Sequence, residues 1–276
     1  MIGGKPPELR FNWCTMEVLV RDTAEEVSLL GSQIVASLLR RRPRCVLGLA
    51  TGQTPLRLYR ELIRLHQTEK LDFSQVATFN LDEYVGLPED HPQSYHYYMR
   101  ENLFRHVNIP MSSTHVPNGT AADLRAHCKQ YEQAIVDAGG IDLQLLGIGG
   151  NGHIGFNEPT GSLQSRTWIK ILSEKTLKDN ASNFTSPDEQ PRHVVTMGIG
   201  TILEARHCVV LACGSAKSNA VKAMIEGPLS AMCPASALQL HPRVTVIIDA
   251  AASARLDHPE HYRWIEQHKL DWQKYS

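Results

Sequence analysis

Five short apolar runs, separated by polar loops and helix-like segments, constrain the fold of this chain more than any other feature. They are Cys45–Ala50, Val76–Leu81, Leu143–Ile148, Val209–Cys213 and Val244–Ile248. A run that is apolar at nearly every position is typical of a strand that is covered on both faces. Strands of this kind that alternate with helices predict an α/β protein, in which helices wrap a mostly parallel sheet.

The first of these runs lies between two helix signals. Across residues 23–42 the apolar side chains recur at three- and four-residue intervals, and Pro43 ends the pattern, which predicts an amphipathic helix. After the strand, the segment Thr51–Pro55 leads into a second helix. Thr54 is its predicted N-cap, because its hydroxyl can accept a hydrogen bond from the first turn.

Composition and charge exclude several classes of protein. Of the 276 residues, 42% are hydrophobic and 21% are charged, as in ordinary soluble globular proteins. The formal net charge of -1 provides no general attraction for nucleic acid or for an anionic membrane. No apolar stretch approaches the roughly 18 residues of a membrane span, and Met1–Arg10 lacks the apolar region of a signal peptide. We therefore expect neither a nucleic-acid nor a membrane protein.

The six cysteines form no CxxC pair, and several lie inside apolar runs, which indicates buried free thiols in a reducing compartment. We therefore expect a cytoplasmic protein. Because no internal repeat or linker stands out, the sequence predicts a single domain over residues 1–276. Only residues 173–192, rich in Asn, Ser, Thr, Asp and Pro, lack a clear period, and they are predicted to form a mobile lid.

The turn between the first strand and its helix has the features of an anion site. The backbone amides and hydroxyls of Thr51–Thr54 can converge on a phosphate at the helix N-terminus, and Gly52 allows close approach of a ligand. Lys217, just after another strand, can add a positive charge. The alternatives are a simple capping turn and a solvated lysine. The segment is no Walker loop, because no GK[ST] follows.

Two acidic residues follow the second strand. Asp82 and Glu83 come directly after Leu81, which places at least one carboxylate at the carboxyl edge of the sheet. A general base requires such a position, partly desolvated and facing a cleft. The alternative is a helix cap or a solvated turn, and the residue types alone favour it.

A glycine-rich loop follows the third strand. Residues 147–152 match the pattern GxGxxG, but further along the loop Gly155 and Pro159 oppose the helix that a dinucleotide fingerprint requires. We expect instead a tight loop that turns His153 and Glu158 toward one cavity, where a histidine can act as acid or base. The sequence contains no HExxH motif or close His/Cys cluster, so no metal is predicted.

Several long motifs, in order along the chain, carry a resemblance to a known family. They are LGLATGQTP, TFNLDEYVGLPEDHPQSY, LLGIGGNGHIGFNEP, SLQSRT, VTMGIGTIL, GSAK and LQLHP. With these motifs the chain resembles the glucosamine-6-phosphate deaminases (isomerases) over nearly its whole length from Val18. The resemblance implies a Rossmann-like three-layer α/β sandwich. It also implies conversion of glucosamine 6-phosphate to fructose 6-phosphate and ammonia without any cofactor.

The resemblance also implies roles for individual residues. Asp82 matches the base that moves a proton between C2 and C1 of the sugar, and a carboxyl with an ordinary pKa near ~4 is ionised at neutral pH. His153 matches the histidine that helps to open the sugar ring, and Glu158 matches its acidic partner. The residues expected at the phosphate are Thr51, Gly52, Gln53, Thr54 and Lys217, and those expected to wall the pocket are Tyr84 and Tyr95.

Two positions depart from the family pattern. Asn151 replaces an aspartate common in the family two residues before the histidine, so it can accept a hydrogen bond but brings no charge. The lid arginine that clamps phosphate in many members falls at Ser182 or Asn183. Its loss would weaken binding by ~1.5 to 3 kcal/mol, roughly 10- to 150-fold. We expect Lys175 or Lys178, about one turn earlier, to replace part of that contact.

The regulatory features of hexameric family members are altered as well. Trp168 stands where those members have a basic residue that binds the N-acetylated sugar phosphate, and the chain start lies about ten residues earlier. We therefore expect little or no allosteric activation, and we favour a monomer. A deaminase for the galactosamine epimer and a non-catalytic sugar-phosphate sensor remain as alternatives, with a nicotinamide dehydrogenase a distant third.

Overall fold

The central element of the fold is a parallel sheet of seven strands. A computed structural model describes residues 15–270 apart from 182, 183, 185, 187 and 188. The strands that it contains are β1 (Thr15–Arg21), β2 (Val46–Leu49), β3 (Ala77–Asn80), β4 (Asp82–Tyr84), β5 (Thr114–His115), β6 (Leu143–Gly147), β7 (Trp168–Ile171), β8 (His193–Thr196), β9 (Cys208–Ala212) and β10 (Arg243–Asp249). Seven of them form the central sheet in the order β1-β10-β9-β6-β2-β3-β5, and every pair in it is parallel.

Helices cover both faces of this sheet. They are α1 (Ala24–Arg41), α2 (Gln53–Glu69), α3 (Tyr95–Asn102), α4 (Leu124–Asp137), α5 (Glu174–Asn180), α6 (Ile199–Leu203), α7 (Ser218–Ile225), α8 (Ala250–Ser253) and α9 (Pro259–Gln267). One apolar core lies between the sheet and α1, α2 and α3, and a second lies between the sheet and α4, α6, α7 and α8. Alternate residues of one strand enter the two cores, as Val209 and Val210 of β9 do. The predicted three-layer α/β sandwich is therefore confirmed.

The local predictions hold with one exception. α1 has the predicted extent, and its N-cap Thr23 forms a reciprocal capping box with Glu26. The prediction that Thr54 caps α2 is wrong. The helix begins at Gln53, and its N-cap is Gly52, which has no side chain to accept a hydrogen bond. The amides of the first turn of α2 are therefore not occupied by a side chain of the cap.

A second, smaller sheet lies beside the carboxyl end of β3. Its three strands are antiparallel, in the order β4-β8-β7, and Asp82 and Trp168 both pair with Thr196. Only Leu81 separates β3 from β4, so the chain leaves the parallel sheet within one residue. Asp82 thus lies in this sheet, just beyond the predicted strand Val76–Leu81. The other two strands flank the predicted lid, since β7 ends just before residue 173 and β8 begins just after residue 192.

The predicted lid, residues 173–192, contains α5 within its described part. Leu177 of that helix packs against a small apolar cluster that includes Tyr84 and Phe156. Four cysteines are buried as predicted, Cys213 is partly buried, and Cys14 lies outside the described residues. None of the helices in the described part of the chain is long and apolar enough to cross a membrane.

Candidate active site

The predicted site residues converge because their strands are parallel. β9, β6, β2 and β3 are successive neighbours in the sheet, so the loops that follow them leave the same edge. Two of these loops approach each other closely, since a Cβ atom added at Gly150 would lie 3.7 Å from the carbonyl oxygen of Ala216. The glycine-rich loop and the loop of Lys217 therefore border the same region.

Asp82 lies at the floor of this region. Its side chain is only 5% exposed, and a Cβ atom added at Gly155 would lie 3.5 Å from its Oδ2 atom. The acidic segment after the second predicted strand and the glycine-rich loop after the third thus meet at this carboxyl. Burial, and secondarily the charge of Glu83, raise the pKa of Asp82 to about 8. The expectation of an ordinary pKa near ~4 is therefore wrong, because the surrounding protein removes the water that would stabilise the ionised form.

Glu83 occupies a different environment, although it is adjacent in sequence. It is 1% exposed, and its carboxylate accepts hydrogen bonds from the backbone amides of Tyr84, Tyr95 and His96. Its Oε2 atom also lies 2.9 Å from Nδ1 of His96. Glu83 thus binds the N-terminus of α3, the helix-capping alternative that the sequence left open. Asp82 is the carboxyl that faces the glycine-rich loop.

His153 is held by the tight loop that the glycines permit. The amide of Gly149 donates to the carbonyl oxygen of His153 over 2.8 Å, and the amide of His153 donates to Oδ1 of Asn151 over 3.2 Å. Position 149 must lack a side chain, because a Cβ atom there would lie 2.2 to 2.4 Å from three atoms of the imidazole. No helix begins between residues 148 and 158, all of which are described, so this loop lacks the helix that a dinucleotide fingerprint requires.

Glu158 joins this loop to the start of the lid. Its carboxylate accepts hydrogen bonds from the amide of Ser173 (3.1 Å), from the Ser173 hydroxyl (2.7 Å) and from the Thr176 hydroxyl. Ser173 is also the N-cap of α5. The described partners of Glu158 therefore all belong to the lid end. The predicted partnership of Glu158 with His153 stays a prediction.

The predicted phosphate residues lie at the N-terminus of α2. Gly52 has a φ angle of 104°, which only glycine adopts without strain, and no atom lies within 4 Å of the position that a Cβ would occupy. Gln53 and Thr54 also line a cleft of about 340 Å³ together with Ala24, Ser28 and Cys213, and the lining of this cleft includes none of Asp82, His153 and Lys217. Lys217 is partly buried at the end of a short 3-10 helix, four residues beyond that cysteine. This corner of the site combines open helix amides with positive charge.

An aromatic wall that includes Tyr95 of α3 borders the site. Tyr84 and Tyr95 have ring centroids 5.1 Å apart, and Tyr95 stacks on Phe156 at 6.3 Å. Three residues after Tyr95 in α3, the hydroxyl of Tyr98 donates to the carbonyl oxygen of Gly52 over 2.5 Å, so the helix that carries this wall is joined to the loop Thr51–Thr54. Phe156 belongs to the glycine-rich motif, but its role was not recognised in the sequence, because an apolar residue in a loop gives no chemical signal.

Thr196 and Asn157 also help to build the site and were not recognised in the sequence. The Thr196 hydroxyl accepts a hydrogen bond from the amide of Phe156, and the Asn157 amide group donates to the carbonyl oxygens of Ile154 and Met197. These bonds fix the glycine-rich loop against β8. Their only sequence signal is a polar residue inside an otherwise buried segment.

The positions that depart from the family pattern are partly described. Ser182 and Asn183 lie outside the described residues, as does the side chain of Lys175, whereas Lys178 is exposed on α5. Trp168 donates from its indole nitrogen to Oδ1 of Asn157 over 3.3 Å.

Arg166, in the same segment as Trp168, forms ion pairs with Glu132 and Glu204, both at 2.5 Å. Its charge is therefore already balanced within the chain. Among the described residues, no group of three His, Cys, Asp or Glu side chains is arranged to hold a metal ion.

Comparison with known proteins agrees with this geometry. The family model of glucosamine-6-phosphate isomerases/6-phosphogluconolactonase matches residues 17–247. The glucosamine-6-phosphate deaminase of Hahella chejuensis is 51% identical over 255 residues, which cover 92% of this chain and 97% of that protein.

Solved structures give the same result at the level of the fold. The structure of a monomeric glucosamine-6-phosphate deaminase superimposes with a TM-score of 0.85 at 49% identity, over 87% of this chain and 99% of that one. The 6-phosphogluconolactonase of Trypanosoma cruzi has a TM-score of 0.69 at 21% identity, over 88% of this chain and 98% of that one, and so shares the fold. With the family model matched over most of its length and its loops at one sheet edge, the chain belongs to the glucosamine-6-phosphate isomerase/6-phosphogluconolactonase family.

Proposed function

We propose that this protein converts glucosamine 6-phosphate to fructose 6-phosphate and ammonia, without a cofactor. The observation that carries the proposal is the Asp82 carboxyl, which is buried at the sheet edge and lies against the glycine-rich loop of His153. Its pKa of about 8 is close to neutral pH. A base with such a pKa exists in both protonation states under working conditions, as a group that accepts and returns a proton requires.

The reaction is assigned to three parts of the site. The open amides at the N-terminus of α2 and the ammonium group of Lys217 bind the phosphate. His153, with Glu158, assists opening of the sugar ring by transferring a proton between the ring oxygen and the C1 hydroxyl. Asp82 then takes the proton from C2 and delivers it to C1. This shift leaves a hydroxyl at C1 and an imine at C2, whose nitrogen has given up a proton to the C1 oxygen, and water hydrolyses the imine to the ketone, so that ammonia and the ketose are released.

The first test is release of ammonia by the purified protein. We expect turnover of glucosamine 6-phosphate, and a loss of at least about a thousandfold in kcat for Asp82→Asn, because an amide cannot accept the proton. Asp22→Asn, at an exposed aspartate outside the site, is the control and should retain full activity. Galactosamine 6-phosphate is assayed in parallel. Turnover of that epimer alone would change the assigned substrate, and binding of either sugar without turnover would support a sensor instead.

Several further properties belong to the same proposal. We take the chain to be a single domain, cytoplasmic and monomeric, acting on a small hexosamine phosphate rather than on nucleic acid. The monomer is supported by the similarity to a monomeric glucosamine-6-phosphate deaminase, at 49% identity. Light scattering behind a sizing column measures the mass directly, and a value well above the 30.8 kDa of one chain would oppose a monomer.

Residues 173–192 are proposed to act as a lid, with Lys175 or Lys178 taking over part of the phosphate contact. Alanine at either position should raise KM with little change in kcat, because a contact to the phosphate acts alike before and during the reaction. An unchanged KM in both variants would remove these lysines from the site.

A further inference from the structure

Asp82 and Glu83 are neighbours in β4, and their side chains point to opposite faces of the strand. Asp82 faces the glycine-rich loop, whereas Glu83 faces the N-terminus of α3. Backbone amides can only donate hydrogen bonds, so the three amides on Glu83 require both of its oxygens to act as acceptors. This arrangement holds the buried side chain of Glu83, which is 1% exposed, directly beside the proposed base.

Glu83 supplies most of the cap of α3. Ser94, the N-cap, accepts a hydrogen bond from the amide of Tyr97 over 3.0 Å. The amides of Tyr95 and His96, the first two residues of the helix, donate to Glu83 at 2.9 to 3.1 Å. A carboxylate at a helix N-terminus also interacts favourably with the helix dipole. Because α3 has only eight residues, its position depends strongly on such contacts.

This cap has a consequence for the substrate pocket. Tyr95 begins α3, and its ring contacts those of Tyr84 and Phe156. Tyr98, also in α3, donates from its hydroxyl to the carbonyl oxygen of Gly52 over 2.5 Å, in the loop proposed to bind phosphate. A shift of α3 would therefore displace the aromatic wall and one edge of the phosphate site together.

The charged and titratable groups around Glu83 come from three elements and the loop before α3. They are Asp82 and Tyr84 of β4, Glu89 of the loop, Tyr95 and His96 of α3, and His127 of α4, which interacts with His96 and not directly with Glu83. Nε2 of His96 lies 3.6 Å from Glu89, so His96 lies between two carboxylates. Asp82 interacts with the charge of Glu83 without a hydrogen bond to it. This charge raises the pKa of Asp82 further, in addition to the larger effect of burial.

We infer that Glu83 is a positioning residue for the proposed deamination, which ties the strand of Asp82 to helix α3 and keeps a second negative charge beside the base. The inference rests on the proposed function. It assigns to Glu83 two effects that can be separated by substitution, one geometric and one electrostatic.

The test compares pH profiles of kcat/KM for three variants with that of the wild type. Glu83→Gln keeps the size of the side chain and removes its charge, so the acid limb of the profile should move to lower pH by about one unit. Glu83→Asp keeps the charge but is too short to reach α3, so kcat should fall severalfold while the limb stays in place. Ser94→Ala weakens the same helix end without any change of charge, and it should not move the limb.

The outcomes are distinct. An acid limb that stays in place in folded Glu83→Gln, or that moves equally in Ser94→Ala, would overturn the electrostatic effect. A wild-type kcat in Glu83→Asp would overturn the geometric one, and this comparison remains available if Glu83→Gln does not fold. Wild-type protein is assayed first with both hexosamine phosphates. Absence of turnover there contradicts the proposed function itself, whereas turnover with unaltered Glu83 variants contradicts only this inference.

Discussion

The buried Asp82 should make the stability of the folded chain fall as the pH rises. The pKa of this carboxyl is about 8 in the folded chain, against 3.8 for an unperturbed aspartate. Between these values the folded state holds about one more proton than the unfolded state. The free energy of unfolding therefore decreases by about 1.4 kcal/mol for each pH unit. The stabilising effect of the proton is complete below about pH 4 and is lost by about pH 8.

Substitution of Asp82 by Asn isolates this contribution, because the amide does not titrate. Relative to the wild type, Asp82→Asn should become more stable by about 4 kcal/mol between pH 5 and pH 8, three units at about 1.4 kcal/mol each. Urea unfolding followed by far-UV circular dichroism at each pH gives both free energies, and their difference removes the titration of all other groups. A difference that stays constant within about 1 kcal/mol over this range would refute the raised pKa.

Three further predictions concern activity. The value of kcat/KM should rise by about tenfold between pH 6 and pH 7 and reach half of its plateau near pH 8, because only the ionised Asp82 accepts a proton; a flat profile down to pH 6 would contradict this. Gly149→Ala should lower kcat by about tenfold or more with an unchanged circular dichroism spectrum, because its Cβ would overlap the His153 ring; an active variant would show that the ring moves without effect. The rate curve should be hyperbolic and unaffected by N-acetylglucosamine 6-phosphate, because Trp168 replaces a basic residue and Arg166 is already bound by two glutamates; sigmoidal kinetics that this compound relieves would oppose the prediction.

Much of the fold was predictable because its signals are local. The period of apolar residues predicted the extent of α1. The five apolar runs predicted five adjacent strands of the parallel sheet, which are β10, β9, β6, β2 and β3. The short antiparallel sheet was not predicted. β4, β7 and β8 are three or four residues long and pair across distant parts of the chain, so no local pattern distinguishes them from loops.

The candidate site also has features that the sequence predicted and features that it did not. The types and order of its residues, from Thr51 to Lys217, were evident in the motifs, and so was their placement at strand ends. Only the family resemblance singled out Asp82 over Glu83, since alternation along a strand assigns the two to opposite faces without naming either face.

The sequence by itself therefore determined the layered α/β architecture, the family and the chemical groups available to the site. Only the tertiary structure decided the state of those groups. The pKa of Asp82, the capture of Glu83 by α3 and the attachment of Glu158 to the lid depend on desolvation and on hydrogen-bond partners from other elements. Such effects arise only when the chain has brought these elements into contact, because neither water exclusion nor a distant donor exists along an isolated segment.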